Sequence, residues 1–214
     1  MRRLLIFAKP PVAGRVKTRL ARRIGQRAAL AAYQSLLHDT LARLAGAGLA
    51  AEVELWGDGG RHPGLTRLAV RHGARFRPQG RGDLGWRMHR ALATALAADR
   101  LPVLVGADCG GITPGHVADA FHALESGFPA VFAPAEDGGY ALVGIRGPMP
   151  AVFRGVPWGG QRVMACTRRR LVRGGYCWRE LSAGWDVDDP ADLRRWRHRR
   201  GWGALGGVSP RRYP

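Results

Sequence analysis

Short apolar runs alternate with longer segments of helical period along almost the whole chain, and this alternation restricts the fold more than any other feature. Residues 3–8 (RLLIFA) form an apolar run stopped by Lys9-Pro10-Pro11, as a buried strand would be. Residues 26–46 then place Leu30, Tyr33, Leu37, Leu41 and Leu44 on one helical face and end at Gly46 and Gly48. The same reading gives strands at 50–57, 74–78 and 101–108, with helices at 63–72 and 84–98 between them. Thr113 followed by Pro114 is an N-cap with proline at the first helical position, opening a helix to about Ser126. Residues 129–146 hold two apolar runs around Glu136-Asp137-Gly138-Gly139, a turn composition that can join two strands. A helix at about 160–173, a short strand near 175–180 and a final helix from Pro190 complete the series. Asp189 is the expected cap of that last helix, with Asp192 at its third position.

Such βαβα order predicts a three-layer α/β/α sandwich with a mainly parallel sheet, whose ligands lie at the carboxyl ends of the strands. At 214 residues one domain suffices, expected over 1–200. Beyond Gly201 the composition shifts to Gly, Pro and Arg, which predicts a flexible basic tail over 201–214.

The formal net charge of +18 raises nucleic acid as a partner. Its distribution argues otherwise. Residues 194–214 carry seven arginines and no acid, and residues 1–23 carry six arginines, two lysines and no acid. One cluster is the tail, the other surrounds the loop after the first strand, and no nucleic-acid module or aromatic platform accompanies them. No window approaches the roughly 20 apolar residues of a membrane span, and the N-terminal apolar run is too short for a signal-peptide core. The expected location is the cytoplasm. Cys109, Cys166 and Cys177 lack metal-ligand spacing and read as reduced thiols.

Chemistry concentrates at the predicted strand ends. In GRVKTRL, the cations Arg15, Lys17 and Arg19 alternate beside Gly14 just where a helix should begin. Cations there oppose the helix dipole, so they need another reason for their position. Wrapping a diphosphate supplies one, because cations neutralise charge developing on a leaving phosphate. In that reading they are unpaired in the ligand-free protein, and Lys17 is a candidate catalytic group. The loop is neither a Walker A sequence nor a dinucleotide fingerprint. Asp108, ending an apolar strand in VGADCGG, can hold Mg2+ or Mn2+ against a diphosphate. WDVDDP supplies Asp186 and Asp188 as candidate further ligands once Asp189 is taken as the cap. Asp137, at a turn whose glycines permit close backbone approach, is a candidate acceptor-binding residue or base.

FAKPPVAGRVKTRLA, GDLGWRM, GADCGGITP, PAEDGGYALVGI, VPWG and DVDDPADL, in that order, resemble a bacterial family of GT-A-type glycosyltransferases associated with radical-SAM/selenodomain proteins, the arsenosugar-biosynthesis glycosyltransferase-like group. The match runs from about residue 3 to 196. That family is similar in turn to the phospholactate and molybdenum-cofactor guanylyltransferases. The resemblance implies a nucleotide-diphospho-sugar transferase fold. It also implies a phosphate cradle over residues 9–19, with Lys9, Gly14, Arg15, Lys17, Arg19 and Gly106 as nucleotide-binding candidates, and a metal at Asp108. The chain departs from the family pattern at Gly110, where Pro usually stands, and at WGGQRV, which lacks the usual hydroxyl residues. The expected activity is metal-dependent transfer of a sugar from a nucleoside-diphosphate sugar to a small acceptor. The alternative is nucleotidyl transfer from a nucleoside triphosphate to a phosphorylated small molecule, releasing pyrophosphate. Nucleic acid is not an expected specific partner.

Overall fold

The computed structural model describes residues 1–200. In chain order its elements are β1 (Arg2–Ala8), α1 (Thr18–Ile24), α2 (Gln26–Ala45), β2 (Ala51–Gly57), α3 (Pro63–Arg71), β3 (Arg75–Pro78), α4 (Leu84–Ala97), β4 (Leu101–Gly106), α5 (Pro114–Glu125), β5 (Ala130–Pro134), β6 (Tyr140–Ile145), α6 (Pro150–Phe153), α7 (Val163–Arg173), β7 (Arg179–Glu180) and α8 (Pro190–Arg199). The strands form one seven-stranded sheet in the order β3-β2-β1-β4-β6-β5-β7. Strands β1, β2, β3 and β4 pair in parallel, as do β5 and β7, and β6 runs antiparallel to both its neighbours. The Glu136–Gly139 turn therefore joins two strands, as its composition predicts.

Both faces of the sheet are covered, because β1 alternates its apolar side chains between two cores. Leu4 and Ile6 pack with Tyr33, Leu37 and Leu41 of α2 and with Phe121 of α5. Leu5 and Phe7 pack with Met88 and Leu92 of α4 and with Met164 and Leu171 of α7. A third cluster joins Leu20 of α1 and Leu36 of α2 to Trp185, Val187, Leu193 and Trp196. It binds α8 and the segment before it to α1 and α2. Among the described residues no helix is long and apolar enough to cross a membrane.

The expected helix starts are present. Thr113 caps α5 by accepting from the His116 N–H, and Asp189 caps α8 by accepting from the N–H groups of Ala191 and Asp192. Asp83 caps α4 in the same way through the Trp86 N–H. Several features differ from the sequence expectation, among them the strand expected near 175–180, which is confined to Arg179–Glu180, and the helix expected from about 160, which begins at Val163. β4 ends at Gly106, and Ala107 still donates to the Phe7 carbonyl (2.8 Å), so Asp108 stands in the turn just past the sheet. Helix formation begins at Thr18 and is broken at Gly25, whose φ of 83° suits glycine, so α1 and α2 are separate. Residues 150–153 form a short helix, α6, that periodicity over so few residues cannot reveal. The predicted tail, 201–214, lies outside the described residues.

Candidate functional site

The register of β1 against β4 pairs Phe7 with Gly106, so the loop over residues 9–17 and the turn beginning at Ala107 leave the sheet side by side. Tyr33 on α2 pins the first of these. Its buried hydroxyl accepts a hydrogen bond from the Lys9 N–H and donates one to the Lys9 carbonyl, both at 2.8 Å. The loop then turns through Gly14 (φ 75°) and anchors on buried Val16. Lys17 follows as the N-cap of α1 in the left-handed region, φ 45° and ψ 47°, an uncommon conformation for a residue with a Cβ.

The side chain of Lys17 turns inward. It is 2% exposed, and its ammonium lies 2.7 Å from Asp108 Oδ2 and 3.4 Å from Asp188 Oδ1. Arg19 reaches the other oxygen of Asp188 at 3.2 Å from an otherwise exposed position. The expectation of unpaired cations is thus corrected for Lys17 and Arg19. An ammonium buried in the ligand-free fold needs a carboxylate partner, and the chain supplies two from residues 91 and 171 positions away. Burial alone would lower the Lys17 pKa, but Asp108, then Asp188 and Asp186, outweigh it and raise it, so the ammonium stays charged.

The carboxylates come together because residues 184–188 dock onto the sheet end. Ala135 pairs with Gly184 and Cys109 with Asp186 in isolated bridges, and Gly111 N–H donates to the Trp185 carbonyl at 3.0 Å. Gly110 and Gly111 are needed there, since a Cβ on either would stand 2.7 and 2.5 Å from Trp185. This gives Gly110, the departure from the family pattern, a packing reason. The Trp185 ring is buried with the Arg195 guanidinium 4.2 Å above it. Trp185 and Val187 point into the core, while Asp186 and Asp188 project to the other side toward Asp108 and Lys17.

Donor atoms of Asp108, Cys109 and Asp186 lie within 4.8 Å of one another. Burial pushes the Asp108 carboxyl up, but the adjacent Lys17 overrides this and holds it below the usual carboxylate range. Asp186 has the Cys109 hydrogen bond and the more distant Lys17 charge to lower its carboxyl, and these do not offset its burial. Burial and the Asp108 charge push its carboxyl up to about 7. Its Oδ1 is buried without a hydrogen-bond partner, an arrangement a bound cation would resolve. The Cys109 thiol is pushed well up by burial and the two aspartates, hence protonated and a poor ligand for a hard cation. Mg2+ or Mn2+ therefore fits Asp108 and Asp186, with Asp188 held one step away by Lys17 and Arg19.

The other candidates surround this centre. Lys9 and Arg15 have exposed side chains, and the Lys9 charge acts on Asp108. Gly106 sits against Asp108 and Cys109, where a Cβ would be 3.1 Å from the thiol. Asp137 is exposed and its Oδ1 accepts from the Gly139 N–H at 2.9 Å, fixing the turn; its charge also acts on Asp186. Glu136 is held by Arg195. Reading the sequence missed Tyr33 as the loop clamp, because its helical spacing marked it as core. It also missed a brace under the loop: buried Gln79 donates to the Ala8 and Trp56 carbonyls (3.3 and 2.9 Å), and Arg87 of the GDLGWRM motif reaches Gln79 at 2.7 Å and Asp58 at 2.6 Å.

A family model described as "Uncharacterized protein conserved in bacteria (DUF2064)" matches residues 40–160. No curated protein matches the chain. Among solved structures, one from Desulfovibrio desulfuricans G20, described as a proposed nucleotide-diphospho-sugar transferase, is 29% identical, with a TM-score of 0.83 over 98% of this chain and 92% of that one. A cytidylyltransferase from Leptospira borgpetersenii is 12% identical, TM-score 0.58, over 97% and 98% of the two chains. The 4-diphosphocytidyl-2C-methyl-D-erythritol synthase of Anaerococcus prevotii is 10% identical, TM-score 0.60, over 94% and 96%. At such identities the last two show a shared fold. The chain thus has the nucleotide-diphospho-sugar transferase fold expected from its motifs.

Proposed function

The chain belongs to the DUF2064 family, and from that premise we propose that it is a metal-dependent transferase that moves a sugar from a nucleoside-diphosphate sugar to a small acceptor. One observation carries the reading: Asp108 and the partnerless Asp186 Oδ1 converge at the carboxyl ends of the strands, beside a loop of cations. The description of the Desulfovibrio structure and the motif resemblance to arsenosugar-biosynthesis glycosyltransferases point the same way.

In this reading Asp108 and Asp186 hold Mg2+ or Mn2+, which when bound would supply charge stabilisation to the departing diphosphate. Lys9, Arg15, Lys17 and Arg19, with the backbone at Gly14 and Gly106, hold the phosphates by charge-assisted hydrogen bonds. The acceptor hydroxyl attacks the anomeric carbon, the bond from that carbon to the phosphate oxygen breaks, and the nucleoside diphosphate leaves. Asp137, exposed on the neighbouring turn, orients the acceptor or takes its proton.

A second reading is nucleotidyl transfer from a nucleoside triphosphate with release of pyrophosphate. The exposed Lys9 and Arg15 favour it, because with Arg19 they give the loop positive charge enough for a third phosphate. Product analysis separates the two: nucleoside diphosphate from a sugar nucleotide in the first, pyrophosphate from a triphosphate in the second. Calorimetry with a nucleoside diphosphate and Mn2+ tests what they share. Asp108→Asn is expected to fold normally and to lose metal-dependent affinity. Unchanged affinity and metal dependence would remove the assignment.

A further inference from the structure

Lys17 occupies an unusual place for a phosphate-binding lysine. Its ammonium is buried against Asp108 Oδ2 at 2.7 Å and Asp188 Oδ1 at 3.4 Å, and its side chain is 2% exposed. Its backbone is left-handed (φ 45°), a conformation that a residue with a Cβ keeps only where surrounding contacts over-determine it. Here the backbone is held by buried Val16 on one side and by the Ala21 N–H, which donates to the Lys17 carbonyl at 2.8 Å, on the other. The ammonium is a compact point charge on a flexible four-carbon stem, so it can leave one anion for another without moving the backbone. Meanwhile Asp186 Oδ1, in the same cluster, has no partner. The ligand-free protein thus satisfies one side of its carboxylate cluster with a cation of its own and leaves the other side open.

We infer that Lys17 is a tethered counter-cation that excludes the divalent metal until phosphates arrive. An ammonium at hydrogen-bond distance from Asp108 takes the oxygen a metal would use and repels a second cation at close range. Nucleotide phosphates offer the ammonium new acceptors, and its departure frees Asp108, so phosphate binding opens the metal site. Each raises the affinity for the other by the same factor, as linkage requires. This inference rests on the proposed metal and nucleotide site.

The test uses Mn2+ alone, measured by titration calorimetry and by the electron paramagnetic resonance signal of free Mn2+, with no nucleotide and no turnover. Lys17→Met removes the charge and keeps the apolar stem. Lys17→Gly removes the charge and suits the left-handed backbone, which guards against a folding failure in the first variant. Each folded variant is expected to bind Mn2+ at least tenfold more tightly than the wild type, and adding Asp108→Asn is expected to abolish the gain. Equal or weaker Mn2+ binding in the variants, with binding by the wild type intact, overturns the inference and leaves the metal site standing. A gain that survives Asp108→Asn overturns it as well, since the freed site lies elsewhere. Absence of Mn2+ binding in every variant, and in the wild type with a nucleoside diphosphate present, overturns both the inference and the metal-dependent reading on which it rests.

Discussion

Asp186→Asn separates the energetics of the site from its chemistry. In the folded protein, burial and the Asp108 charge lift the Asp186 carboxyl from the ordinary aspartate value of 3.8 to about 7. The unfolded chain ionises near the ordinary value. Between those two points the folded state therefore holds a proton that the unfolded state has released, and stability falls as pH rises. Below the ordinary value both states are protonated and the effect vanishes; above about 7 it is complete. A separation of about three pH units at about 1.4 kcal/mol per unit amounts to roughly 4 kcal/mol, of which about 3 kcal/mol lies between about pH 5 and about pH 8. Asparagine has nearly the shape of the protonated acid and does not titrate. Urea denaturation of both proteins across this range, without metal, is expected to show the stability of Asp186→Asn rising relative to the wild type by about 3 kcal/mol toward the alkaline end. Saturating Mn2+ with a nucleoside diphosphate should offset the alkaline loss in the wild type more than in the variant. A stability difference that is constant with pH would refute the reasoning, because it would mean that Asp186 ionises in the fold as easily as in the unfolded chain.

Two further substitutions probe the loops that frame the centre. Tyr33→Phe removes both hydrogen bonds that pin Lys9; a loss of about 1 kcal/mol in unfolding free energy is expected, with a larger proportional loss of nucleoside-diphosphate affinity by calorimetry, since the freed loop must be ordered on binding. Gly138→Ala places a methyl 2.0 Å from the Gln161 carbonyl oxygen at a φ of 87°. It should cost roughly 2–4 kcal/mol, seen in thermal or urea unfolding, and an unchanged melting temperature would show that the Asp137 turn can shift freely away from residues 160–164.

Local chemistry determines a large part of this protein, and sequence carries local chemistry directly. The β1 run is apolar on both faces because helices cover both, so it reads as a buried strand from composition alone. Thr113 and Asp189 announce their helices because an N-cap is satisfied within three residues. The Glu136–Gly139 turn reads as a strand connection for the same reason. Asp108 stands out because it ends an apolar run, Lys17 because cations at a helix start oppose the helix dipole, and Asp186 because WDVDDP holds more acids than the cap at Asp189 uses. What the tertiary structure decided is which of these charges meet. Lys17 finds Asp108 and Asp188 across 91 and 171 residues, a pairing that depends on the register of β1 against β4 and on the docking of residues 184–188 over Gly110 and Gly111. Neither is a property of any short stretch. The pairing gives Lys17 and Arg19, two cations expected to be free, carboxylate partners and leaves Asp186 Oδ1 without a hydrogen bond, because burial makes an unpaired charge costly and only the assembled fold specifies what is buried.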